Sequence, residues 1–514
     1  MKQLFVLVLL SATLGAFSQD WPVKKMVSAK KESGVPFALL PVFSFVASKT
    51  LANRGIYQEL KLDAAFLGSI MALRPAALQL SIPLGNGKSI SCELVQFSLG
   101  NIKITENNST VLEHMKIPVT YRGVISGEQN KNTVILTVND DYLALVATGT
   151  DNVIQVTKAD EKEKNTYRLY NSASVPFPTA PFDCGTKISQ ASKTANGIDL
   201  TGVQVNPLAV QDKCVNVFVD CFDSMYIWQK SNTQQTVYYV YELFNLVAGG
   251  YLNEQINIQI TTVNVWTTKS PYRRDTKDNS VADLAGYYKD NFWGNICVGL
   301  DFETVSKGGL AGDIGRVKAV SANTCPAYNY SGTNTLSACC YNDLNQGGDT
   351  RGFPTGPNTT GNQLELVMHE MGHLLGSRHT HWCGWKLSSS PDVYGAIDSC
   401  AATEGGCPKG PAPSNGGTIM SYCSISGPGA FTSYSNGFGP LPGNAVRNFV
   451  DQSACILTCV ECFGVNNKPY NSMDAFQNNT AAIKKESGPG GGNTNEPAKQ
   501  QPVARLINIQ KIKQ

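Results

Sequence analysis

The sequence predicts an α/β protein, with a layered domain of strands and helices in its second half and a β-rich unit in front of it. Three observations carry this expectation. Between Cys214 and Leu457, segments that alternate apolar and polar residues are interleaved with segments of helical apolar spacing, the pattern of helices packed on a sheet. Ahead of Phe182 the patterned segments alternate with period two and are separated by turn clusters. Four of the five histidines fall between His369 and His381, which marks one short stretch as the chemical centre.

With 514 residues the chain exceeds one ordinary domain, and two or three folded units are expected. An apolar content of 42% suffices for real cores, and 42 basic against 40 acidic residues leave a net charge of +2. That balance lacks the basic footprint of a nucleic-acid binder. Met1-Lys2-Gln3, the apolar run Leu4–Phe17 and the small residues Ala16 and Ser18 read as a secretory signal peptide over residues 1–18. The run is shorter than the ~20 residues of a membrane span, and no later segment is long and apolar enough for one. Export suits the fifteen cysteines, which behind such a leader read mainly as disulfides; an odd count leaves at least one thiol outside them. Asn108, Asn329, Asn358 and Asn478 stand in Asn-x-Ser/Thr sequons.

Within the β-rich unit, Leu78–Ile82 alternates, and Val119-Thr-Tyr-Arg-Gly continues in the same style. Thr133–Val138 and Tyr142–Val146 flank the turn cluster Asn139-Asp140-Asp141, a hairpin pattern. Residues 176–213 loosen into Pro, Ser, Thr, Gly and Asn and read as a linker that contains Cys184. The second unit opens with the strand Val215–Asp220 and a helix whose Val237, Val240, Tyr241, Phe244 and Val247 share one face. A strand over Asn257–Trp266, a helix over Val281–Asn291 and a strand over Ile296–Phe302 follow. The segment from Gly464 is Gly- and Gln-rich and poor in apolar residues, the composition of a disordered tail. The divisions are thus 1–18, a prodomain with linker over 19–205, a catalytic domain over 206–460 and a low-complexity tail over 461–514.

Gln363–Leu375 has helical spacing, with Leu364, Val367, Met368, Met371 and Leu375 as its buried stripe. On that helix His369 and His373 project from one face, where two imidazoles can grip one zinc ion. Gly376 permits the left-handed turn that ends the helix and returns His379 as third ligand. Three nitrogen ligands leave one position open, as a catalytic zinc site requires. Zinc lowers the pKa of its water towards ~7 and polarises a carbonyl. Glu370, beside the ligands, is the expected general base that passes the proton to a leaving amine. A chance surface motif and a structural metal are the competing readings; the extended spacing and the retained Glu370 argue against both. His381 is either a neighbour of the ligands, part of a substrate rim, or an exposed loop histidine beside Trp382.

These residues resemble the metzincin pattern His-Glu-x-x-His-x-x-Gly-x-x-His, and Thr418-Ile419-Met420-Ser421-Tyr422-Cys423 resembles its methionine turn, with Met420 buried under the zinc. Over Val215–Leu457 the chain is most similar to bacterial secreted members of the reprolysin, or adamalysin, group. Val263-Asn264-Val265-Trp266 resembles that group's second strand, and Gly308, Gly309, Leu310, Ala311 and Gly312 its substrate-pairing rim strand. Thr380 departs from the Asp that usually follows the third histidine. Tyr422 is spaced as in the astacin group, where a tyrosine assists the metal or the oxyanion; packing is the other reading of that residue.

The resemblance implies a bilobal metzincin-type catalytic domain: a twisted mixed sheet with helices above a cleft, and a disulfide-rich lower lobe holding Cys383, Cys400, Cys407 and Cys423. Of the three connectivities open to those cysteines, Cys400–Cys407 with Cys383–Cys423 is the favoured one. The implied activity is a secreted, monomeric metalloendopeptidase with one catalytic Zn2+ and protein or peptide substrates. A structural Ca2+ fits the family but has no loop motif here. By the same resemblance the amino-terminal unit is a propeptide, and Cys184 either fills the open zinc position as a cysteine switch or forms a disulfide, with Cys92 the candidate partner. The alternative function is a non-catalytic secreted binding or adhesion protein on the same scaffold, against which the intact Glu370 and ligands speak.

Overall fold

A computed structural model of the chain describes residues 21–51, 55–128, 131–149, 153–159, 163, 165–171, 184–186, 213–289, 291–305, 307–320, 338–345, 361–389, 391–414, 416–423 and 434–459. The expected signal peptide, most of the expected linker, the expected tail and the sequons at Asn329, Asn358 and Asn478 lie outside the described residues.

Helix α1 (Pro22–Glu32) has proline in its first turn, where the missing N–H would have had no helical partner. The strands β1 (Ala38–Pro41), β2 (Phe43–Leu51), β3 (Gly55–Leu62), β4 (Ala77–Gly85) and β5 (Lys88–Phe97) follow, with the short helix α2 (Phe66–Leu73) between β3 and β4. Asn86 and Gly87 join β4 to β5 with φ of 51° and 72°, the left-handed pair that a two-residue hairpin requires. After β6 (Lys103–Glu106) and β7 (Thr110–Val111) come β8 (Val119–Ile125), β9 (Thr133–Val138), β10 (Leu143–Thr148), β11 (Val153–Lys158) and β12 (Thr166–Asn171). In the β9–β10 hairpin the Asn139 side chain accepts from the backbone N–H of Asp141 and Tyr142, both at 2.8 Å, which fixes the turn.

All of these strands except β6 and β7 form one sheet in the order β1-β4-β5-β8-β9-β10-β11-β12-β3-β2. The sheet curls on itself: Gln58 of β3 donates to the Leu84 carbonyl of β4 at 2.8 Å, and the Phe45 ring of β2 lies against Gly85. Its concave side encloses Leu78, Leu80, Leu94, Tyr121, Leu136 and Leu145, all fully buried.

The second sheet has parallel strands β13 (Cys214–Cys221), β14 (Asn257–Val265), β15 (Ile296–Asp301) and β17 (Cys339–Asp343), with β16 (Gly309–Ala311) antiparallel at one edge. Helices α3 (Asp223–Trp228), α4 (Thr233–Asn253) and α5 (Lys277–Tyr288) lie between the strands in sequence. The side chains of Asn232 and Thr276 accept from Gln235 N and Asn279 N and so cap α4 and α5. All eight residues of β13 are buried, as in a parallel sheet covered on both faces. At its far edge the sheet continues into β6 and β7 of the amino-terminal unit: β6 pairs in parallel with β14 over Thr262–Val265, giving the order β16-β17-β15-β13-β14-β6-β7.

Helix α4 departs from the one-face expectation, because every residue from Thr236 to Leu252 is buried. One side packs on the second sheet and the other is covered by the curled sheet. Two adjacent glycines make both approaches close: a Cβ at Gly249 would stand 2.2 Å from Ile135 of β9, and one at Gly250 would stand 2.4 Å from the Met368 methyl. Each mid-helix glycine costs ~1 kcal/mol of helix propensity, which the close packing on both faces offsets.

Candidate metal centre

Helix α6 (Gly361–Leu374) carries the histidine motif, and its Leu364, Val367, Met368, Met371 and Leu374 are fully buried in the main core. Tyr251 of α4 donates to the Met368 carbonyl at 2.9 Å, tying the two helices together. The helix ends at Gly376, whose φ of 95° only glycine adopts cheaply. Ser377 N donates to Gly372 O and Gly376 N to His373 O, both at 2.9 Å, which is the Schellman closure. The chain then reverses and brings His379 back beside the helix.

The Nε2 atom of His373 lies 3.1 Å from that of His369 and 3.0 Å from that of His379. Each Nδ1 faces an oxygen: Ile419 O at 2.7 Å for His369, Ser377 O at 2.9 Å for His373 and Glu404 Oε1 at 2.7 Å for His379. The Nδ1 atoms are therefore the donors, and the Nε2 lone pairs all point to one place. Burial pushes the three imidazoles below their ordinary pKa, and for His369 and His373 the neighbouring imidazoles push further. Three neutral lone pairs this close repel one another unless a shared cation draws them together. Cys184 completes the group, with Sγ 3.6 Å from His373 Nε2 and all four donor atoms within 4.8 Å of one another. A tetrahedral zinc with its usual bond lengths sets N···N and N···S separations of about 3.3 and 3.6 Å, so this donor set fits Zn2+.

Glu370 is fully buried, and burial pushes its carboxyl up to about 8 against hydrogen bonds from Cys184 and Thr186. A divalent cation among the imidazoles acts in the opposite direction. Thr186 Oγ1 donates to Glu370 Oε2 at 3.3 Å and accepts from Ala311 N at 3.1 Å. A Cβ at Gly309 would come within 2.5 Å of Glu370 Oε1, so the carboxylate has room only beside glycine. Of the five predicted rim residues, Gly309, Leu310 and Ala311 form β16, with Gly308 (φ 72°) and Gly312 at its ends. Cys184 bridges to Gly309 in parallel, and Gly185 N donates to Gly309 O at 2.9 Å, so the linker segment lies along that strand.

Met420 is fully buried beneath α6, its sulfur 2.8 Å from where a Cβ on Gly372 would stand. Thr380, which stands where reprolysins usually carry Asp, donates N–H to the Met420 carbonyl at 3.0 Å and so ties the segment that carries His379 to this turn. The Tyr422 hydroxyl donates to Cys184 O at 3.1 Å and lies 3.4 Å from His379 Nε2. His381 is buried rather than exposed, and its ring stacks on His379 with centroids 4.8 Å apart.

The sequence reading did not single out Glu404. Its Oε1 accepts from His379 Nδ1 and lies 3.5 Å from His381 Nε2. Burial raises its carboxyl, but the hydrogen bonds from His379 and His381 outweigh that and hold it at about 2. No local motif announces this residue, because it lies in an irregular loop whose position depends on distant pairing.

The disulfide expectation is corrected. The four cysteines pair as Cys383–Cys407 and Cys400–Cys423, and elsewhere Cys214 pairs with Cys459. Cys383 N donates to Glu404 O at 2.9 Å, and Trp382 bridges to Glu404, so Cys383 runs alongside the segment that delivers Cys407. That leaves Cys400 to meet Cys423 beyond the methionine turn. Cys184 and Cys92 are both free, the latter buried in the curled sheet, so the alternative of a disulfide between them does not occur.

Residues 211–435 match a family model, Reprolysin_5, described as metallo-peptidase family M12. No curated protein matches the chain. One solved structure, described as that of a chaperone-substrate complex, aligns at 14% identity over 33% of this chain with a TM-score of 0.21, a likeness that does not bear on the fold. The alignment spans 24% of that structure's own chain. With the extended histidine motif, the methionine turn and the family match lying in one segment, residues 211–435 are a metzincin domain of the reprolysin type, of metallo-peptidase family M12.

Proposed function

We propose that the chain is a secreted zinc endopeptidase held in a latent form. The observation that carries this reading is the convergence of three Nε2 atoms on one point with the buried Glu370 carboxylate beside it. His369, His373 and His379 would hold the ion, each fixed in its tautomer by the acceptor at Nδ1. When bound, zinc supplies Lewis-acid polarisation of a scissile carbonyl and acidifies the attacking water.

The chain's own residues do the rest. Glu370 takes the proton of the attacking water on a carboxylate oxygen and delivers it to the leaving amine nitrogen. Burial raises this carboxyl and a cation among the imidazoles lowers it, opposing pulls that suit a group that must both accept and give a proton. The Tyr422 hydroxyl, beside His379 Nε2, is placed to donate to an oxyanion once Cys184 O no longer holds it. β16 offers an edge to pair with extended substrate, the edge that Cys184 and Gly185 now occupy. Latency follows from the Cys184 thiolate as fourth ligand, with Thr186 engaging Glu370. The disulfides among the described residues support export, since such bridges persist in oxidising surroundings. No helix among the described residues is long and apolar enough to cross a membrane.

The test is casein hydrolysis by the processed protein, with and without a chelator and with Glu370→Ala. Both treatments should abolish turnover, while Glu370→Ala retains one zinc per chain. Turnover that survives chelation and the substitution overturns the reading.

A further inference from the structure

The linker before Cys214 divides two units that share one core. On the catalytic side, the outer edge of the second sheet is β14, whose Ile260, Val263 and Val265 are fully buried. That edge is occupied by β6: Lys103–Glu106 pair with Thr262–Val265, and Ile260 N donates to Leu99 O at 2.7 Å. Side chains lock the pairing, because Asn264 Oδ1 accepts both from Thr105 Oγ1 at 3.0 Å and from Asn108 N at 2.7 Å. A bare sheet edge is a liability that folds shorten, charge or cover, and here β6 covers it.

The outer face of α4 tells the same story. Asn245, fully buried, donates from Nδ2 to Leu136 O at 3.1 Å and to Thr137 Oγ1 at 3.0 Å, both on β9. Tyr238 donates to Asp140 in the β9–β10 turn. Trp21 donates to Asn253 at the end of the helix, and Val23 and Val27 of α1 pack on Leu252. Gly249 leaves the gap that Ile135 fills. Leu99, Ile104, Ile135, Val146 and Val153 of the amino-terminal unit belong to the same apolar cluster as α4, α6 and the methionine turn.

We propose that the amino-terminal unit, residues 21–171, is a permanent subunit of the catalytic domain rather than a propeptide that departs: cleavage in the linker yields a two-chain protein held by β6–β14 pairing and the outer face of α4. This goes beyond the zinc reading and does not depend on it. Among the described residues of the linker, Cys184–Thr186 lie in the cleft, so in that reading unblocking moves this segment and leaves the interface of residues 21–171 intact.

The test uses the full chain with a single engineered protease site within residues 187–212. After quantitative cutting, native mass spectrometry and size exclusion are run at nanomolar and micromolar concentrations, with and without chelator. The expected result is one particle of unchanged total mass at both concentrations, separating only at denaturant levels that also unfold it. Fragments that separate in buffer, leaving residues 213 onward soluble and cooperatively folded, overturn the proposal. Gly249→Leu should make the cut protein separate in buffer at nanomolar concentration, where the cut wild type stays whole. If that variant does not fold as a single chain, Thr105→Val, which removes the β6 side-chain bond to Asn264 without adding bulk, replaces it; a folded variant that stays whole in buffer and separates at the same denaturant level as the wild type would count against the interface. Because mass is read rather than activity, a failed zinc reading leaves this outcome unaffected.

Discussion

The carboxylate of Glu404 accepts a 2.7 Å hydrogen bond from Nδ1 of His379, 25 residues away in sequence. That contact fixes which nitrogen of the His379 imidazole carries the proton, and so leaves Nε2 facing His373 as the one to hold the proposed metal. Removing the acceptor frees the ring to turn and to change tautomer. Glu404→Ala should weaken zinc binding by roughly 10–100-fold, and Glu404→Gln, which keeps an acceptor oxygen, by less. Competition with a chromophoric chelator measures both. Equal affinity in all three proteins would show that the contact is incidental.

Cys184 Sγ stands 3.6 Å from His373 Nε2 and its carbonyl holds the Tyr422 hydroxyl. Cys184→Ala therefore removes the proposed fourth ligand without disturbing a disulfide, since this thiol is free. The uncut full-length variant should hydrolyse casein at least tenfold faster than the uncut wild type. Cobalt-substituted protein gives an independent readout, because a thiolate ligand adds a charge-transfer band that the variant should lack. Unchanged latency together with an unchanged spectrum would remove the switch.

Asp220 lies at the centre of the second sheet, where Asn264 Nδ2 and Trp266 Nε1 donate to its Oδ1 and the Tyr272 hydroxyl to its Oδ2. Burial pushes its carboxyl up to about 6 from an ordinary value near 3.8, although Tyr272, Asn264, Trp266 and Tyr288 pull the other way. The folded form then binds the proton more tightly than the unfolded form. The resulting stability is fully present below about 3.8 and is lost as pH rises through 6, a change of ~3 kcal/mol. The facing tyrosines keep their protons throughout that window. Asp220→Asn should flatten this slope, so the stability difference between variant and wild type should move in the variant's favour between pH 4 and 6. Urea unfolding of both proteins across that range checks it, and parallel curves would exclude the effect.

How far the sequence reached depends on how local each determinant is. The spacing of His369, Glu370, His373, Gly376 and His379 is written within two helical turns and a glycine stop, so the donor cluster follows from helix geometry and one left-handed residue. The strand and helix order of the second unit follows from apolar periodicity for the same reason. The curled first sheet was legible as alternating strands, and its Asn139 turn as a hairpin.

Other features belong to the tertiary structure alone. Glu404 and the bridges Cys383–Cys407 and Cys400–Cys423 depend on the alignment of Trp382 with Glu404, a contact between irregular segments that carries no periodic signal. The burial of α4 on every side, the need for glycine at Gly249 and the addition of β6 to β14 depend on two distant parts of the chain meeting. Periodicity specifies which face of an element seeks cover. Only the packed chain decides what supplies that cover, because burial is set by neighbours far away in sequence.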